Sequence, residues 1–72
     1  MSYMALVQYV REGDGVHLRG YGWSTVLTKQ FNSSRRYYRL YLSNGVYVDC
    51  RIKEVVELNE GGIPVVGGLN PT

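Results

Sequence analysis

The residues best suited to chemistry lie close together. Arg35, Arg36, Tyr37, Arg39, Tyr41, Tyr47 and Arg51 all fall between positions 35 and 51, and Tyr21 and Trp23 add two aromatic rings upstream. Arginine presents a planar fork of donors to carboxylates and phosphates. Tyrosine and tryptophan are rigid anchors at protein interfaces, and tyrosine also stacks on unpaired bases. This mixture is expected to bind rather than to catalyse. His17 is the sole histidine and sits beside Arg19 on a polar face. Ser24, Ser33, Ser34 and Ser43 lack the surroundings of a nucleophile elbow. The glycines form neither a GxGxxG nor a Walker pattern. Glu12 and Asp14 flank a turn glycine, where acids are ordinary. One cysteine and one histidine are too few for a zinc site. The chain is therefore read as a non-enzyme without cofactor or metal.

The stretch that must position these side chains is Arg35–Ile52, RRYYRLYLSNGVYVDCRI, which reads as a β-hairpin. Tyr38, Leu40 and Leu42 alternate with Tyr37, Arg39 and Tyr41; Val46, Val48, Cys50 and Ile52 alternate with Tyr47, Asp49 and Arg51. Asn44-Gly45 suggests a two-residue loop. That loop would set Leu40 opposite Asp49 and put a carboxylate on the apolar face. A three-residue loop, Ser43-Asn44-Gly45, pairs Leu40 with Val48 and Tyr38 with Cys50. It also pairs Tyr41 with Tyr47, Arg39 with Asp49 and Tyr37 with Arg51, each worth about 0.2–1 kcal/mol across strands. The longer loop is preferred, with Gly45 left-handed. Arg36 shares the parity of Tyr38 and Leu40, so it must turn outward at the strand's end.

Upstream, Tyr3–Val10 is an apolar run read as a strand, with both faces apolar and one of them available to a second subunit. A start at Met4 would leave the first three residues without structure. Arg11–Gly15 is a turn with an Asx-type bond. Val16–Arg19 is a strand with Val16 and Leu18 inward, Gly20-Tyr21-Gly22 is a tight connection, and Trp23–Phe31 is a β-branched and aromatic strand. Lys53–Leu58 fits one helical turn or a short closing strand. From Asn59 to Thr72, glycines and prolines interrupt any period, and the segment reads as an extended tail. Its apolar residues Ile63, Val65, Val66 and Leu69 could still add to a sheet edge. The expected architecture is all-β: one domain over residues 1–58, a small barrel or strongly bent antiparallel sheet of five or six strands with at most one short helical turn, then the tail over 59–72.

Seventy-two residues give a thin core, for which oligomerisation is a common remedy. A homo-oligomer is expected. From Arg11 to Arg51 seven Lys/Arg face three Asp/Glu, whereas from Lys53 onward one faces three, so the basic charge belongs to the sheet. Cys50 excludes an internal disulfide and falls on the apolar face, which fits a reducing, cytoplasmic setting. No run approaches the length of a membrane-spanning helix, and no signal peptide is evident.

The order of parts resembles the Src-homology-3-like small barrels of the Tudor/KOW sort. GDGVHLRGYGWSTVL is similar to their opening hairpin, and YYRLYLSNGVYVDCRIKEVVEL to their closing hairpin, short turn and last strand; the resemblance covers Asp14–Leu58. It implies nucleic-acid, ribosomal or transcription partners for the KOW type. For the Tudor type it implies an aromatic cage, with Tyr21, Trp23, Tyr41 and Tyr47 as candidates. Two functions are thus carried forward from the same Tyr/Arg face. The first is protein–protein interaction, as adaptor, inhibitor or accessory subunit; the alternative is single-stranded nucleic-acid binding.

Overall fold

The computed structural model describes residues 2–64. The described residues are all-β, with six antiparallel strands in one open sheet: β1 (Tyr3–Leu6), β2 (Gly15–Leu18), β3 (Gly22–Asn32), β4 (Tyr37–Leu42), β5 (Tyr47–Arg51) and β6 (Val55–Asn59). The spatial order is β1-β6-β2-β3-β4-β5, so that among the described residues β1 and β5 are free edges. Of the expected alternatives, the bent sheet is the one adopted, and it does not close into a barrel.

The apolar run at the N-terminus is split. It forms β1 and then a 3-10 turn over Val7–Tyr9 instead of one strand to Val10. The turn lets Val7 and Val10 both reach the core at zero exposure, which strand alternation could not do for residues three apart. Tyr3 pairs with Leu58, so ordered structure begins before Met4. A long-range contact holds the turn: the Lys29 ammonium donates to the carbonyl oxygens of Gln8 and Val10. Its partial burial lowers the Lys29 pKa from the ordinary value.

β3 serves both halves of the sheet. Its first residues pair with β2 and its later ones with β4, and between Val26 and Thr28 the register slips by one residue. Leu27 is the extra residue of this bulge and is 56% exposed. Before the bulge Ser24 and Val26 point inward; after it Lys29 and Phe31 share the side of Leu40 and Tyr38.

The β4–β5 hairpin takes the register of the three-residue loop. Tyr38 lies opposite Cys50, Arg39 opposite Asp49 and Tyr41 opposite Tyr47. Leu42 N–H donates to Val46 O at 2.9 Å, and Gly45 has φ of 88°. A Cβ on Gly45 would meet nothing within 4 Å, so Gly45→Val tests the backbone alone. It should cost about 1–3 kcal/mol, read as a lower urea midpoint at unchanged slope.

The core cluster is Val7, Val10, Val16, Val26, Leu40, Leu42, Cys50, Val56 and Leu58, with Ala5, Leu18, Tyr38 and Val48 packed against it. Lys53–Leu58 resolves into a turn, closed by Glu54 N–H to Arg51 O at 2.9 Å, followed by the strand β6. β6 includes Asn59, one residue beyond the boundary suggested by composition. The next residues are packed too: the Asn59 amide donates to Gly62 O at 2.8 Å, and Gly61 N–H reaches the Asp14 carboxylate at 3.3 Å. Tail residues 65–72, including Val65, Val66 and Leu69, lie outside the described residues.

Candidate binding face and groove

Cross-strand pairing sets nine side chains in three rows on the outer face of β3, β4 and β5. They are Thr28–Tyr41–Tyr47, Gln30–Arg39–Asp49 and Asn32–Tyr37–Arg51. Arg39 is the hub. Its Nε donates to Asp49 Oδ1 at 2.7 Å and its terminal nitrogen to Oδ2 at 3.0 Å, a bidentate fork. The same guanidinium lies over the Tyr47 ring at 4.1 Å and near the Tyr37 ring at 5.8 Å. Tyr41 and Tyr47 pack at a centroid distance of 5.8 Å. The hydrogen bonds from Arg39 hold the Asp49 carboxyl below the usual carboxylate range, and that carboxylate raises the Arg39 pKa in return. The fork is therefore intact at neutral pH and is lost only as pH falls through the depressed Asp49 pKa, below the usual carboxylate range.

This geometry changes the roles expected of several residues. Arg39 is already committed to Asp49 and Tyr47, so it stiffens the face instead of offering a free cation. Arg35 and Arg36 are not on the sheet. They sit exposed in the β3–β4 turn, where Asn32 Oδ1 accepts from Arg35 N–H and Ser34 Oγ, each at 2.9 Å. Arg36 does not start on the core side as its parity suggests. It has φ of 58°, and its N–H donates to Asn32 O at 2.8 Å, so the turn ends before β4 begins. Arg51 lies opposite Tyr37, at the same end of the sheet as this turn.

Tyr21 and Tyr47 come together elsewhere. They line a groove of about 440 Å³ with Leu18, Arg19, Val48 and Asp49 among its walls, beside the free edge of β5. The positive φ values of Gly20 and Gly22, 85° and 66°, make the tight β2–β3 turn that carries Tyr21 there. Trp23 does not join them. It sits across from His17 on β2, in an edge-to-face contact at 5.4 Å, on the outer face of the other half of the sheet. The four aromatic cage candidates thus do not line a common pocket. Arg19, Val48 and Leu18 were not marked by type or spacing; only the fold of β2 towards β5 brings them to the groove.

Other reactive groups are occupied or quiet. Cys50 is buried, and desolvation pushes its thiol up to about 12, far from thiolate chemistry at neutral pH. His17 Nδ1 lies 4.0 Å from Glu57 Oε1 at the surface. Among the described residues no group of three or more His, Cys, Asp or Glu could hold a metal ion. No helix among them is long and apolar enough to cross a membrane. Comparison of the chain with protein-family models, curated proteins and solved structures gives no match.

Proposed function

We propose that the chain is a non-catalytic binding module that docks a protein partner on the Tyr/Arg face and along the adjoining β5 edge. The observation that carries this reading is the prestacked Tyr47–Arg39–Asp49 group beside a groove walled by Tyr21. Aromatic anchors held in place before binding lose little entropy on association. Tyr47, Asp49 and Arg51 alternate with residues bonded to β4, so their backbone groups face the open edge, where an extended segment adds as a strand. A small-barrel resemblance of the Src-homology-3-like sort accords with this reading: β3, β4 and β5 form a meander, and β6 returns to pair with β2. A reducing, cytoplasmic setting goes with it, supported by the buried Cys50 thiol.

One observation favours a second reading. Arg35, Arg36 and Arg51 are exposed, and none takes part in the ion pairs found among the described residues. They form a cationic end suited to the phosphates of single-stranded nucleic acid, with the exposed Phe31 available for stacking.

One series of measurements separates the two. Peptides selected against the folded chain are measured by fluorescence anisotropy alongside mixed-sequence single-stranded DNA and RNA. Tyr47→Ala and Tyr21→Ala should each weaken peptide binding about 30-fold, as anchor residues do, with little salt dependence. If the Arg end binds nucleic acid instead, affinity should fall log-linearly with salt, by about 0.7 per phosphate neutralised. Arg36→Ala would then make that slope shallower by about one phosphate. Peptide affinities untouched by both tyrosine variants would remove the first reading, and no oligonucleotide binding at low salt would remove the second.

A further inference from the structure

The two edges that are free among the described residues differ in kind. β5 carries Asp49 and Arg51, charges of the sort that discourage an edge from pairing indiscriminately. β1 reads Tyr3-Met4-Ala5-Leu6, with no charge, no proline and no bulge. Val7 N–H donates to Glu54 O at 2.9 Å, which fixes the direction of the backbone groups along β1. By antiparallel alternation, Tyr3 and Ala5 bond towards β6, while Met4 and Leu6 present N–H and C=O to the open side. Met4 is 63% exposed.

The core side of this edge is incomplete. Tyr3 and Ala5, opposite Leu58 and Val56, overhang a hollow of about 490 Å³ that Tyr9, Arg11, Asp14 and Glu60 also line. Asp14 is engaged by the backbone N–H groups of Arg11 and Gly61. Glu60 accepts the Tyr3 hydroxyl at 2.7 Å, a bond that raises the Tyr3 pKa. Arg11 takes part in neither ion pair found among the described residues.

We propose that β1 is a self-association edge, at which two copies of the chain pair β1 with β1, antiparallel, about a two-fold axis through Met4. Only registers that match residues of the same parity keep both cores on one side of the joined sheet. An axis at Met4 pairs Met4 with Met4, Tyr3 with Ala5 and Ser2 with Leu6, and uses the outward backbone groups of Met4 and Leu6. An axis at Ala5 would set Tyr3 against Val7, in the 3-10 turn, and Ala5 against Ala5, so no large side chain would cover the hollow beside Ala5. With the axis at Met4, the Tyr3 ring of one copy lies over Ala5 of the other, the smallest side chain on the strand, and fills the hollow there. It brings its hydrogen-bonded Glu60 towards Arg11 of that copy, so the charges match across the axis. The contact is isologous, and it lies at the opposite edge from the peptide groove.

Sedimentation equilibrium of the full chain, from micromolar to several hundred micromolar, tests the pairing. The wild type should approach twice the monomer mass. Met4→Pro should be monomeric with an unchanged circular-dichroism spectrum, because the Met4 N–H has no partner among the described residues and proline is tolerated at an edge. Arg11→Glu and Glu60→Arg should each weaken the dimer about tenfold or more, the range of close charge pairs across interfaces, and the double reversal should restore it. These two surface changes carry the test if Met4→Pro fails to fold. A monomeric wild type at the highest concentration, a folded Met4→Pro that still dimerises, or a double reversal that restores nothing would each overturn the proposal.

Discussion

Gly15→Ala should lower stability by about 1–3 kcal/mol and release the segment around Gly62 from the start of β2. A Cβ at Gly15 would stand 2.2 Å from Gly62 O, 2.6 Å from its carbonyl carbon and 2.9 Å from Ile63 N. All three are backbone atoms, so no side-chain rotation relieves the clash. Gly15 is not among the glycines with positive φ, so the cost is steric and owes nothing to conformational strain. Yielding would sacrifice the bonds from the Asn59 amide to Gly62 O and from Gly61 N–H to Asp14. Urea unfolding gives the energy, and hydrogen exchange at Gly61 and Gly62 gives the place. A variant with wild-type midpoint and wild-type protection there would show that the contact does not exist.

Leu40→Ala should cost more, about 2–5 kcal/mol, the range for removing a leucine from a packed core. Leu40 is fully buried, between Lys29 on β3 and Val48 on β5. A chain of 72 residues has about 4–11 kcal/mol of stability in all. The truncation therefore removes a large share of it, and the melting temperature should drop by tens of degrees. Leu27→Ala is the matched control. Leu27 is exposed at the bulge, so its loss should fall within about 0.5 kcal/mol. Equal destabilisation by the two variants would contradict the placement of the bulge.

The hairpin was legible because one residue decided it. Asp49 would sit on the apolar face in the shorter loop, and only the longer one hands it to Arg39. The strands around β2 were legible for the same reason, a clean alternation between turn glycines. What escaped were features set by contacts distant in sequence. The 3-10 turn after β1 depends on Lys29, nineteen residues beyond Val10. The packed end of β6 depends on Gly15 meeting Gly62, and neither glycine carries a local sign of the other. The bulge at Leu27 breaks the alternation of β3, yet Val26, Leu27 and Thr28 read as a continuous run of strand formers. Among the site residues, Tyr37, Arg39, Tyr41, Tyr47 and Arg51 share a face because alternation put them there. Tyr21 reaches its groove through the bend of the sheet, which no periodicity records, whereas Trp23 meets His17 by direct cross-strand pairing.

That bulge also behaves like a frameshift. A strand reads out its side chains two at a time, so a shift of the pairing by one residue exchanges the content of the two faces for everything downstream. Without the bulge, Leu27 would pair with Tyr41 in unbroken register, Lys29 would stand beside Arg39 on the outer surface, and Thr28 and Gln30 would be turned towards the core. With it, the Lys29 ammonium is spent holding the carbonyls of Gln8 and Val10, and the row beside Arg39 is filled by a neutral glutamine. The charge that β3 lends to this surface is therefore set less by which residues the strand contains than by where its phase is broken.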